Sequence, residues 1–229
     1  MAIYHLSAKT FSRANGRSIT AAAAYRAATK IQDERTGLIH DYSHKQGVES
    51  THIVLPIAAP SWAKDRSQLW NAAEQAETRK NATVAREFEI ALPAELSAEQ
   101  RQQLAQTLAT EIVTRHGCAA EVAIHGPGKG GDDRNHHAHI LLSTRRLEAQ
   151  GFTNKTRELD DIKLGPELIR QWRERFAQLQ NHCLQQAGAE ERVDHRSLIE
   201  QGITRVASRH LGPAAVGFER RTGLPSRRR

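Results

Sequence analysis

The sequence predicts an α+β fold in which a central, largely antiparallel sheet carries helices packed on one face. Three observations point there. Along the 229 residues, segments of period-2 and period-3.6 apolar spacing interleave as strand, helix, two strands, helix, strand, helix, two strands, helices. Two of the strand pairs flank turn-forming stretches, the pattern of hairpins rather than of parallel crossovers. A chain of this length can also build one sizeable core beneath a single sheet. The other face could then stay open for a ligand.

The elements follow in order. AIYHLSAK alternates, setting Ala2, Tyr4 and Leu6 on one side and Ile3, His5 and Ser7 on the other. After a loop rich in Ser, Asn, Gly and Arg, Ser18 is the expected N-cap of an alanine-dense helix from Ile19 to about Asp33, since alanine loses no side-chain entropy there. LIHDY and VESTHIVLP read as strands around the turn-like HKQG. Ser61 is expected to cap a second helix to about Arg79, and REFEIAL to form a strand with Phe88, Ile90 and Leu92 toward the core and Glu87 and Glu89 opposite. SAEQ, Ser97 to Gln100, is a capping-box pattern before a helix ended by Gly117. AEVAIH and HHAHILLS are strands joined by GPGKGGDDRN, and a helix from about Pro166 to Ala187 precedes a shorter one capped by Asp194.

Composition narrows the class of protein. No apolar run approaches the roughly 20 residues of a membrane helix, and MAIYHLSAKT lacks the apolar stretch and cleavage site of a secretory signal, so a cytoplasmic protein is expected. Cys118 and Cys183 cannot make a disulfide scaffold or a paired-cysteine metal motif. The formal net charge of +7 is unevenly spread. Residues 1–30 carry five basic residues and no acid, residues 201–229 carry seven arginines and one glutamate, and the 170 residues between hold 21 basic against 25 acidic groups. Positive ends around an ordinary middle suit a polyanion, with nucleic acid the leading partner.

His137 and His139 lie two apart on a strand, so their imidazoles share a face. Folding the 126–135 loop into a hairpin brings His125 beside them as a cross-strand neighbour. Three converging imidazoles would leave coordination positions for water or substrate oxygens, the open arrangement of a catalytic metal. With twelve histidines in the chain, the pair by itself admits an accidental reading. His136 falls on the opposite pleat. Asp132 and Asp133 could orient one of these histidines, or be solvated loop acids. All-imidazole ligation accepts manganese, nickel, cobalt or zinc.

Tyr25 sits among small residues that allow another surface to approach, with cationic Arg26 beside it. A phenol of reference pKa about 10 attacks at neutral pH only with help from a base, metal or cation. The helix alone equally admits Tyr25 as a residue covering the sheet, while Tyr4 reads as core and Tyr42 as a packing residue near a turn. Glu87 and Glu89 could supply a carboxylate to a metal or its water, or simply be solvated. Arg13, Arg17, Arg26, Lys80, Arg86 and the neighbouring Arg79 are candidates for phosphate contacts, each also readable as ordinary surface charge. Trp62, Trp70 and Trp172 read as core. GPGKGGDD lacks a P-loop ending, which excludes ATP binding there.

Together, ITAAAAYRAATKIQDERTG, RKNATVAREFEIALP and IHGPGKGGDDRNHHAHILLSTR resemble the plasmid mobilisation relaxases of the MobA/MobL family. The likeness runs in order from MAIYHL through RVDHRSL to HLGPAA. It implies a His-hydrophobic-His endonuclease fold, with Tyr25 as nucleophile, His125, His137 and His139 as metal ligands and Glu87 at the family's acidic position. His136 stands where many relatives have proline. The implied metal is magnesium or manganese. The implied reaction nicks one strand at an origin of transfer, forms a 5′-phosphotyrosine and reseals it. Implied partners are origin DNA as single strand plus adjacent duplex, accessory mobilisation proteins and a type IV secretion coupling protein, with passage into the recipient cell. On this reading residues 1–200 form the relaxase domain and residues 201–229 a basic C-terminal segment, beyond which relatives often continue into a helicase, primase or other domain. A rolling-circle replication initiator shares the histidine strand but usually places its tyrosine after it. A non-enzymatic DNA-binding accessory protein would need only the basic segments.

Overall fold

The computed structural model describes residues 3–128, 132–204 and 212–227. They fall into two compact units, Met1–His195 and Arg196–Arg229. In the first, strands β1 (Leu6–Ser12), β4 (Val48–Val54), β5 (Thr83–Leu92), β6 (Cys118–His125) and β7 (His136–Glu148) pair antiparallel in the order β1-β5-β7-β6-β4. β8 (Gly151–Lys155) pairs with the far end of β7, and β2 (Lys30–Gln32) with β3 (Ile39–Asp41) makes a separate two-stranded sheet. This is the expected α+β class with an antiparallel sheet.

Period-two alternation divides the sheet, broken at Val84, where β5 has one residue more than β1. Phe88, Ile90 and Leu92 pack with Val122, Ile124, Ile140 and Leu142 against α3 (Ala98–His116) and α4 (Gly165–Gln186), through Leu104, Leu108, Ile112, Trp172 and Phe176. The opposite face is not left open along its whole length as expected. Ile19 and Ala22 to Ala24 of α1 (Ile19–Ala27), with Leu69, Trp70 and Ala73 of α2 (Arg66–Gln75), cover Val84, Ala85, Ala119 and Leu141 there. The reason lies in those sheet residues, which are apolar on both faces at that end and need cover on both. Farther along the same face the alternation places His125, His137, His139, Glu87 and Glu89, and there the residues turn polar.

Several elements depart from the sequence expectation. The first strand begins at Leu6 rather than at the chain's start. Ser18 does cap α1, accepting from the Ala21 amide at 3.1 Å, but the helix stops at Ala27 with Ala28 in the left-handed region, φ 50°. Beyond it Ile31 is buried in β2, and buried Asp33 accepts from the Thr20 hydroxyl at 2.7 Å and the Thr36 amide at 2.9 Å. That turn folds β3 onto β2, so HKQG carries the chain between sheets instead of closing a hairpin between β3 and β4. The expected helix from Ser61 is a 3₁₀ turn, Ser61–Lys64, and the Asp65 carboxylate caps α2 instead, accepting from the Gln68 amide at 2.8 Å. The Ser97–Gln100 capping box and the Gly117 stop are present as expected. No helix starts at Asp194, because Asn181 clamps both the N–H and the C=O of Val193 (2.8 and 2.9 Å) and holds that segment extended along α4.

In the second unit a turn of chain, with Ser197 and Glu200 bonded reciprocally, ends at Gly202, and α5 spans Gly212–Thr222. No described helix is long and apolar enough to cross a membrane.

Candidate active site

The β6–β7 hairpin sets His125 directly opposite His137, and Ala123 opposite His139. The three ring centroids are 4.9 to 5.3 Å apart, and one ligand-capable nitrogen from each lies within 4.8 Å of the others. Each ring also has a partner that fixes its tautomer. His125 donates through Nε2 to the Arg26 carbonyl at 2.9 Å, His137 through Nδ1 to the Asn135 carbonyl at 3.1 Å, and His139 through Nδ1 to Glu87 Oε1 at 3.0 Å. Since a carbonyl or carboxylate only accepts, Nδ1 of His125 and Nε2 of His137 and His139 keep free lone pairs. Burial pushes the His125 pKa down to about 4, against the Arg26 carbonyl's opposing pull, and lowers that of His137. Imidazoles backed by acceptors fit a divalent transition metal with open coordination positions.

Glu87, 1% exposed, stands behind His139 and also takes the Arg26 guanidinium. Burial works to raise its carboxyl, but the hydrogen bonds from His139 and Arg26 prevail and hold it at about 2. Glu89 is engaged by Lys9. Glu87, Glu89 and His139 also form a cluster within 4.8 Å, yet both carboxylates already have cationic partners.

Arg26 ties this centre to the last turn of α1. Its carbonyl receives His125 and its side chain reaches Glu87, so the last turn of α1, which carries Tyr25, is anchored to the histidine hairpin. Tyr25 is 45% exposed and packs edge-on against Tyr42, centroids 5.3 Å apart. It borders an open cleft of about 440 Å³ lined also by Phe11, Arg17, Ser18, Arg26 and Tyr42. It does not cover the sheet. Tyr4 is part of the core margin, its hydroxyl donating to the Arg173 carbonyl at 2.9 Å.

The basic candidates divide by burial. Arg17 is exposed, its guanidinium 5.6 Å from the Phe11 ring centroid, and Lys80 is exposed ahead of β5. Arg13 is instead spent on Glu74 at 2.7 Å and on backbone carbonyls of residues 74, 77 and 79, with a side chain 7% exposed. Arg86 is 3% exposed and bonded to Asp160 and Thr156. Neither is available to a phosphate. Asp132 is a loop acid paired with Arg134 at 2.8 Å, and His136, off the pleat that carries His137 and His139, faces Glu49 at 3.5 Å. Trp70 and Trp172 are buried and Trp62 partly so. Sequence reasoning missed Lys45, whose ammonium lies 4.5 Å from the Tyr25 ring centroid. The only signal was its place in the turn-like HKQG.

The fold is an antiparallel sheet that gathers three imidazoles at one end, with the last turn of α1 bonded to one of them, and sequence comparison supplies the family. The chain belongs to the MobA/MobL family, whose profile matches residues 17–221. It is 44% identical to the mobilization protein MobL of Acidithiobacillus ferridurans, covering the whole chain and 67% of that protein. It is 33% identical to a probable mobilization protein MobA of Bifidobacterium longum, covering 99% of the chain and 46% of the relative. The chain thus spans about two thirds of the first and under half of the second. A structure solved to explain vancomycin resistance transfer in Staphylococcus aureus superposes with a TM-score of 0.76 at 33% identity, covering 86% of this chain and all of that one.

Proposed function

We propose that this chain is a DNA relaxase that nicks one strand at a plasmid transfer origin and can reseal it. The observation that carries the reading is the 2.9 Å bond from His125 to the Arg26 carbonyl, which docks the helix bearing Tyr25 onto the three-histidine hairpin. The mobilization names of the relatives support it, as does the absence of any other exposed tyrosine among the described residues.

In this mechanism Tyr25 Oη attacks the scissile phosphorus in line. The new bond is phosphotyrosine, and the old P–O3′ bond leaves its electron pair on the 3′ oxygen. A 3′ hydroxyl reverses the step, because the phosphotyrosine conserves the phosphodiester. His125, His137 and His139 would hold a divalent cation, and when bound it would polarise the phosphate and offset charge developing on its oxygens. Glu87 orients His139, Arg26 fixes the distance between helix and hairpin, and exposed Arg17 and Lys80 offer phosphate contacts. Residues 1–200 carry this activity and residues 201–229 add basic charge for DNA. Accessory mobilisation proteins and a secretion coupling protein complete the setting, in the cytoplasm of a plasmid-bearing bacterium.

The test is incubation with single-stranded oligonucleotides spanning candidate origins and Mg²⁺ or Mn²⁺, followed by a denaturing gel. A protein-linked DNA band is expected. A persistent lack of adduct with the cognate origin would overturn the reading. Glu87→Gln should retain the fold but bind Mn²⁺ or Co²⁺ about 10–100-fold more weakly, since it loses the anion that aligns His139; calorimetric titration measures this, and unchanged affinity would remove Glu87 from the site.

A further inference from the structure

We propose that Lys45 is a further catalytic residue, whose ammonium contacts the scissile phosphodiester beside Tyr25. The inference rests on the relaxase reading and deepens it. The loop that carries Lys45 has two anchors. Lys45 closes a turn by donating its amide to the Tyr42 carbonyl at 2.9 Å. Tyr42 donates to the Thr29 carbonyl at 3.1 Å, just past α1, and Gly126, the residue after His125, donates to the Gly47 carbonyl at 2.9 Å. The loop therefore bridges the exit of the tyrosine helix and the end of the histidine strand.

Lys45 is half-buried there, with its Nζ 4.5 Å from the Tyr25 ring centroid. Among the described residues no carboxylate lies within ion-pair distance of it. Its neighbours are of the wrong sign or neutral: the Arg26 charge, and the His125 and His137 imidazoles, which feel it as a nearby cation. Three partly buried arginines of this unit do have acids: Arg26 has Glu87, Arg13 has Glu74 and Arg66 has Glu121. A half-buried ammonium held without an anion, against the face of a phenol, is an arrangement that an incoming anion completes.

The anion that must come to Tyr25 is a phosphodiester. An ammonium is a compact point charge with three rotatable donors on a flexible stem, able to follow a non-bridging oxygen as charge builds on it. As the Tyr25 Oη–P bond forms and P–O3′ breaks, Lys45 keeps its proton throughout. The phenol's proton goes to solvent, and the departing 3′ oxygen takes one from solvent. The same contact serves resealing, where the charge returns to the phenol oxygen.

Lys45→Met and Lys45→Arg in the full chain test the assignment, with circular dichroism melts to verify folding. Single-turnover adduct formation should slow about 100-fold in Lys45→Met, the scale seen when one donor to a developing oxyanion is removed, and Lys45→Arg should recover most of the rate. Anisotropy titrations of single-stranded DNA in a Tyr25→Phe background give a second readout. Loss of one phosphate contact lowers the slope of log K against log salt by about 0.7. A Lys45→Met variant with wild-type rate and slope overturns the proposal. So does a slowed variant with an unchanged slope and no rescue by arginine, which would mark Lys45 as loop scaffolding. Lack of adduct from the wild type indicts the relaxase reading instead, whereas adduct from the wild type with Lys45→Met undiminished removes Lys45 alone.

Discussion

Tyr25→Phe will yield no detectable protein–DNA adduct while binding the same oligonucleotide within roughly 2-fold of wild type. The substitution deletes one oxygen and little else. The ring that meets Tyr42 edge-on and lies under Lys45 remains, and at 45% exposure the hydroxyl occupies no packed interior, so stability should change by no more than about 0.5 kcal/mol. The chain has only two other tyrosines. Tyr4 is tied to the Arg173 carbonyl and its pKa is driven up by burial, which removes it as a nucleophile. Tyr42 is the real competitor, since its ring touches that of Tyr25. A gel of Tyr25→Phe, Tyr42→Phe and the double variant separates them. Adduct surviving in Tyr25→Phe and vanishing only with Tyr42 would transfer the nucleophile to Tyr42 and undo the assignment.

The histidine centre was legible because its geometry is local. Strand alternation aligns His137 with His139, and a single hairpin returns them to His125, so spacing in the chain already encodes proximity in space. Caps were legible for the same reason where the donor and acceptor are three residues apart, as with Ser18 and Ser97. Partnerships across the fold were not. Arg13 and Arg86 look like free cations in the sequence because Glu74 and Asp160 stand 61 and 74 residues away. Nothing in RKNATVAREFEIALP reports that Arg86 points into the sheet's buried side, where a guanidinium persists only when fully hydrogen-bonded. The early end of α1 belongs to the same class. Alanine propensity argues for continuing the helix, but burying Ile31 and satisfying Asp33 requires the chain to leave it. Ending the helix there is also what places the Arg26 carbonyl against His125, so the misread boundary is part of the site.

The parity of β7 gives a second large effect with an internal control. His139→Ala will abolish stabilisation by Mn²⁺ or Co²⁺ and reduce nicking by at least about 1000-fold, the consequence of losing several kcal/mol of transition-state charge stabilisation. The fold should tolerate the change, because Glu87 keeps its Arg26 partner and the His139 ring is partly open to solvent. His136→Ala removes a chemically identical ring three positions away, on the pleat that faces Glu49. That variant should gain stability from the ion as wild type does, about 2.7 kcal/mol at 100 times the dissociation constant, whereas His139→Ala should gain none. Thermal melts with and without the ion, read beside adduct formation, decide the matter. Were His136→Ala the variant that lost the ion response, the register of β7 against β6 would have to shift by one residue, sending His137 and His139 to the packed face and dissolving the contact between the imidazoles and the tyrosine helix.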